Sequence, residues 1–141
     1  MPGNSPAIQM TESSNRLDAV RCLDVPQFGD ARGQLFALER VRPLPFTPVR
    51  TFVIADVPQE KHRAQHVVSC DQFLWMIEGA CLAMVQESEA CLTGAKRHFR
   101  LTKRGPGLYL PEGVWLDLSE FHKGSIMLCL AAAEYDANRK R

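Results

Sequence analysis

The chain reads as an all-β protein, a barrel or sandwich of short antiparallel strands. Three observations predict this. Short apolar runs rich in β-branched residues recur from Val49 onward. Gly and Pro turns separate them at roughly ten-residue spacing. Helical periodicity is weak throughout, the sole candidate being a short helix near Ala131 to Asn138.

Taken in order, Met1 to Arg16 is polar, with Pro, Gly and Ser, and is expected to be flexible. Leu17 to Leu23 alternates apolar positions and reads as a first strand. Val25 to Arg32, with Pro26 and Gly29, reads as a loop, and Gly33 to Glu39 as a strand. Pro43, Pro45 and Pro48 interrupt the chain, because proline lacks a ladder donor. Val49 to Val57 is a strong strand and Pro58 to Arg63 a polar turn. Gln72 to Ile77 and Ala80 to Gln86 flank the Glu78-Gly79 turn as paired strands. Lys96 to Leu101, Leu108 to Leu110, Val114 to Leu118 and Ser125 to Leu130 complete the set. One domain over 17–136 follows, with a basic tail at 137–141.

Composition narrows the function. A chain of 141 residues can bury a real core. Net charge is +1, which gives no footprint for nucleic acid or an anionic membrane. No apolar run approaches the ~20 residues of a membrane span, and the N-terminus lacks the apolar segment of a signal peptide. The five cysteines (Cys22, Cys70, Cys81, Cys91, Cys129) are odd in number, widely spaced and without a CxxC pair. They suit free thiols in a reducing cytoplasm, not a disulfide framework or a structural zinc site.

The richest stretch for chemistry is His62 to Gly79. It holds two of the four histidines, Arg63, Gln65 and Gln72 ahead of a glycine turn. Further on, Gly105, Pro111 and Gly113 stand as G-x5-P-x-G before Val114-Trp115-Leu116. This resembles the second motif of the cupin superfamily, a jelly-roll β-barrel, in which a metal-binding histidine occupies the position of Leu116. The first cupin motif ends in a carboxylate, six residues and a glycine. Counting back from Gly79 places Gln72 at that carboxylate, and the preceding HxH pair on Gln65 and Val67 or on His66 and Val68. Valine and leucine offer no lone pair, and a metal site needs three or four donors at one point. A metal-free interior without a cofactor is therefore expected.

A narrower resemblance rests on several pieces in order. Asp30, Arg32, Gly33, Leu35 and Glu39 form D-x-R-G-x-L-x3-E. Arg50-Thr-Phe-Val-Ile, Gln72, Gly107-Leu-Tyr-Leu-Pro-x-Gly-Val-Trp and a terminal Ile-Met-Leu-Cys-Leu-Ala-Ala-Ala-Glu-Tyr-Asp follow. The succession is similar to the WxcM-like (FdtA-like) sugar-nucleotide 3,4-ketoisomerases over residues 17–136. That resemblance implies a metal-independent isomerase of a dTDP-linked 4-keto-6-deoxy sugar, cytoplasmic and homodimeric. It also implies an R-G-x-H-A-H motif whose histidines shuttle protons between C3 and C4. With a one-residue deletion before Gln72, Arg63 and His66 match that motif and the second histidine becomes Val68. Laid without a gap, both histidines are lost, to Gln65 and Val67. A tyrosine common on the Arg50 strand is replaced by Phe52.

The candidate acid/base is thus His66, alternatively a half-buried strand-end residue. Imidazole can both accept and return a proton near neutral pH. Arg50 and Arg63 are candidates to grip a diphosphate, since guanidinium forks suit phosphate; ion pairs at the surface or core edge are the alternative. Gln72 would contact the ligand or satisfy backbone groups. Tyr109 and Trp115, with Trp75, are candidate stacking surfaces or core packing. His62 and the loop and strand histidines His122 and His98 are expected in solvent. Two further functions stay open: a non-catalytic binding barrel, and a relative doing another proton transfer such as epimerisation or cyclisation.

Overall fold

The computed structural model describes residues 16–40, 43–88 and 95–135. The expected flexible segment up to residue 15, Cys91 and the basic tail lie outside these residues. The strands are β1 (Arg21–Leu23), β2 (Gln27–Asp30), β3 (Gly33–Phe36), β4 (Glu39–Arg40) and β5 (Pro43–Leu44). Then come β6 (Arg50–Ala55), β7 (Arg63–Val67), β8 (Gln72–Glu78) and β9 (Ala80–Gln86). The last four are β10 (Lys96–Thr102), β11 (Gly107–Leu110), β12 (Trp115–Ser119) and β13 (Ile126–Ala131). A five-stranded antiparallel sheet runs β1-β11-β8-β13-β6 and a four-stranded one β10-β9-β12-β7. β2 and β3 form a separate hairpin, and β4 and β5 a short parallel pair.

The main core lies between the two large sheets. Leu74, Met76, Leu108, Leu110, Met127 and Cys129 face Cys81, Ala83, Val85, Leu101, Leu116 and Leu118. A second cluster, Phe73, Trp75, Tyr109 and Leu130 with Leu44 and Phe46, covers the opposite face of the five-stranded sheet. β8 is therefore buried on both faces, which is why its apolar run is continuous instead of alternating. Gly79 turns β8 into β9 with φ +79°, and a Cβ there would lie 2.7 Å from the Ser125 Cα. Ser125 Oγ in turn bonds the amide and the carbonyl of Ala80, each at 3.1 Å. That turn needs glycine both for its dihedral and for its neighbour.

Four expectations are corrected. Leu17 to Leu23 is not one strand: residues 16–18 form a helical turn, and only Arg21–Leu23 is extended. Leu17 and Val20 are both buried at a three-residue spacing, closed by Val20 N–H to the Leu17 carbonyl at 3.2 Å. Arg97 caps this turn by donating to the carbonyls of Leu17 and Val20 at 3.0 and 2.7 Å. The expected loop at 25–32 contains β2, whose Gly29 lies directly beneath the Gln34 side chain, which would have to swing aside for a Cβ. The expected turn ending at Arg63 gives way to β7 from that residue on. The helix expected near 131–138 is absent from its described part, which leaves β13 as a bend.

β6 and β7 are consecutive in sequence, yet each is the free edge of a different sheet. The sandwich is open between them, and four of the six candidate residues, Arg50, Arg63, His66 and Gln72, line this opening.

Candidate active site

A cleft of about 260 Å³ fills the gap between the β6 and β7 edges. Strand alternation selects its wall. On β6 the partly buried Arg50, Phe52 and Ile54 turn in, while Thr51, Val53 and Ala55 are exposed. On β12, Leu116 and Leu118 turn in, which sends Trp115 and Asp117 outward. Gln72 and Leu74 of β8 and Cys129 of β13 close the floor. Gln72 is only 7% exposed. Its parity, open from sequence because Phe73 is also apolar, is settled by the second cluster that covers Phe73.

β7 delivers Arg63, Ala64 and His66 to the same cleft through an irregularity. His66 pairs with Leu116, but Asp117 pairs with Ala64, so Gln65 has no ladder partner. Ala64 and Gln65 both adopt left-handed backbone, with φ of 69° and 59°. Each such non-glycine residue costs about 1–2 kcal/mol. The bulge leaves Gln65 exposed and brings His66 to the cleft. His66 Nδ1 lies 3.1 Å from the Val67 carbonyl. With the proton on Nδ1, that bond leaves the imidazole lone pair on Nε2.

The charged groups lining the cleft are the Arg50 and Arg63 guanidiniums and the Glu134 carboxylate. The Arg50 Cζ lies 4.9 Å from the centre of the Phe52 ring and 5.7 Å from that of Tyr135. Its Nε is buried without a hydrogen-bond partner among the described residues. Neither Arg50 nor Arg63 makes an ion pair among the described residues. Burial pushes the Cys129 thiol far up, the Cys81 thiol adds to this, and the two arginines oppose it only weakly. The floor beneath the arginines is thus neutral. Among the described residues no three His, Cys, Asp or Glu side chains converge as a metal site.

The structure brings Arg50, Arg63, His66 and Gln72 together, and it places Tyr109 and Trp115 elsewhere. Tyr109 belongs to the second cluster and donates its hydroxyl to Asp71 Oδ2 at 2.9 Å. Trp115 lies on the outer face of the four-stranded sheet, its Nε1 buried without a partner among the described residues. Trp75 is also in the second cluster and donates to the Gly105 carbonyl at 2.9 Å. His62 lies outside the cleft wall, half-exposed and 2.7 Å from Asp117 Oδ1. Ser69, Cys129, Glu134 and Tyr135 line the cleft without having been singled out from sequence. Cys129 was legible in principle from the alternation of β13; Tyr135 carries no local signal.

A family model described as FdtA, WxcM-like, C-terminal, matches residues 18–139. The chain belongs to this family. It is 28% identical over 108 residues to the TDP-4-oxo-6-deoxy-alpha-D-glucose-3,4-oxoisomerase of Aneurinibacillus thermoaerophilus, spanning 76% of this chain and 74% of the relative. It superposes on the WlaRB TDP-quinovose 3,4-ketoisomerase of Campylobacter jejuni with a TM-score of 0.75 at 28% identity, covering 84% of this chain and 88% of that one. The QdtA 3,4-ketoisomerase of Thermoanaerobacterium thermosaccharolyticum, solved as a mutant with TDP-4-keto-6-deoxyglucose, shares the fold at a TM-score of 0.75 and 22% identity, with 84% and 83% covered. The antiparallel jelly-roll expectation therefore holds. Val68, next but one to His66, is fully buried in the main core.

Proposed function

We propose that this protein is a sugar-nucleotide 3,4-ketoisomerase acting on a TDP-linked 4-keto-6-deoxy sugar by metal-independent proton transfer. The observation that carries the reading is the meeting of His66 with Arg50 and Arg63 in one cleft of an FdtA-like chain. The metal-independent part is supported by valine, leucine and glutamine at the positions where ligands would stand. The reaction moves two protons. A base removes the C3–H proton, and the C–H electrons form the C3=C4 double bond of an enediol as the C4 carbonyl oxygen takes a proton from water. Protonation at C4 and loss of the O3–H proton then leave the ketone at C3. His66 is the group suited to carry the carbon proton from C3 to C4 on one face. Arg50 and Arg63 hold the diphosphate and oppose the developing enolate charge; Gln72 offers an amide to the sugar.

Incubating the protein with TDP-4-keto-6-deoxyglucose in heavy water tests this. Deuterium at C3 or C4 and formation of the 3-keto product are expected. The absence of both, with TDP binding retained, would sink the isomerase and leave the second reading, a non-catalytic nucleotide-sugar module. One feature favours that alternative: in either register of the resemblance a valine takes the place of the second histidine, and Val68 is 0% exposed. A barrel that kept its arginines and lost half of its proton shuttle would bind without turning over.

We further propose a homodimer in a reducing cytoplasm. The β2–β3 hairpin supports the dimer: Phe28 and Leu35 are cross-strand partners and are 61% and 60% exposed. Sedimentation should give twice the chain mass, and F28D with L35D should give the monomer. The buried free thiols Cys70, Cys81 and Cys129 support the compartment. Among the described residues no helix is long and apolar enough to cross a membrane. The near-neutral net charge argues against nucleic acid as a partner.

A further inference from the structure

After β13 the chain bends across the rim of the cleft, and Tyr135 ends up on its wall. Tyr135 is 59% exposed, a high value for an aromatic side chain at the mouth of a cavity. Its ring contacts the Arg50 guanidinium, which also rests on Phe52, and the Arg50 Nε is buried without a partner among the described residues. Its chain neighbour Glu134 also lines the cleft, and a carboxylate disfavours a phosphate placed next to it. The guanidinium groups suit the diphosphate; the rim, anionic and aromatic, suits the uncharged end of a nucleotide.

We propose that Tyr135 is the nucleobase platform of this cleft, with the thymine of a TDP-linked ligand stacked on its exposed face while the diphosphate reaches Arg50. The inference rests on the nucleotide-sugar reading above. Stacking on an aromatic face is tolerant of base identity, so Tyr135 selects a nucleotide over a bare diphosphate and does not select thymine over uracil.

Calorimetric titration with TDP and with inorganic pyrophosphate tests this on wild type, Y135A, Y135L and Y135F. Y135A and Y135L are expected to weaken TDP about tenfold and to leave pyrophosphate unchanged; Y135F is expected to bind TDP like the wild type. Equal losses for both probes would show that the ring only positions Arg50, and no loss for TDP would show that the base lies elsewhere; either result overturns the proposal. If the wild type binds pyrophosphate and not TDP, the nucleotide-sugar reading falls and this one with it. Wild-type binding of TDP that survives in Y135A and Y135L overturns the platform alone. Thermal unfolding of each variant at the wild-type temperature shows that the losses are not unfolding.

Discussion

His66 stands opposite Leu116 across the β7–β12 ladder, and both side chains line the cleft. An imidazole thus shares the proposed reaction space with an isobutyl group. The wall on that side is apolar, with Leu118 also on it, above a floor that includes Leu74. Carbon-to-carbon proton transfer by one imidazole is compatible with such a wall, whereas a second ionisable group would have to be supplied from the rim.

His66→Asn should therefore abolish turnover while sparing binding. Loss of a general base lowers rates by roughly 10²–10⁴, so the 3-keto product should fall by at least that range's lower end. The TDP dissociation constant, read by calorimetry, should stay at the wild-type value. Turnover that survives the substitution would move the base elsewhere.

Arg50→Lys should weaken TDP binding even though charge is kept. A lysine cannot present two parallel N–H groups to a phosphate or rest flat on Phe52 and Tyr135. Arg63→Gln should weaken binding as well and reduce its dependence on salt. Hydrogen bonds to charged groups are worth about 1.5–3 kcal/mol each, so losses of about tenfold or more are expected for each variant by calorimetry.

Alkaline pH should destabilise the fold through groups held protonated. Burial first, then the hydrogen bond to Asp71 and its charge, push Tyr109 up to about 12, against the pull of Arg21. An unfolded tyrosine releases its proton near 10. The unfolded chain deprotonates first, so the stabilisation is complete below about pH 10 and is lost as pH climbs toward 12. Burial likewise pushes the Cys81 thiol to about 12, with the same sign and an earlier onset. Urea unfolding from neutral pH to about 11 should show this fall. Tyr109→Phe should be less stable at neutral pH by about 1 kcal/mol, because Asp71 loses a donor, yet lose less on going alkaline.

Native-state alkylation should separate the cysteines. Cys22 is exposed, whereas Cys70, Cys81 and Cys129 are buried. Among these four described cysteines, peptide mapping should find Cys22 tagged first and the other three only after denaturant. Partial burial raises the Cys22 thiol, with Arg97 opposing, so its tagging should be slow at neutral pH and accelerate above it. Early tagging of Cys129 would mean that the cleft floor opens in solution.

By itself the sequence determined the all-β class, the turn at Gly79, and the motif pieces whose succession marks an FdtA-like barrel. Those are local properties: alternation, breaker residues and spacing are written along the chain. It also put Arg63, His66 and Gln72 near one another in the chain. Only the tertiary structure decided which of them meet. Alternation says which residues share a face but not which face looks into the cleft, and β8 is apolar on both faces because each packs a separate cluster. Gln72 could turn inward only because Phe73 found cover under Leu44 and Phe46. The bulge at Ala64 and Gln65 shifted the register, so that His66 faces the cleft and Gln65 does not. Trp115 and Tyr109 were drawn outward by the inward parity of Leu116, Leu108 and Leu110, and Tyr135 reached the rim by a bend that no nearby residue announces.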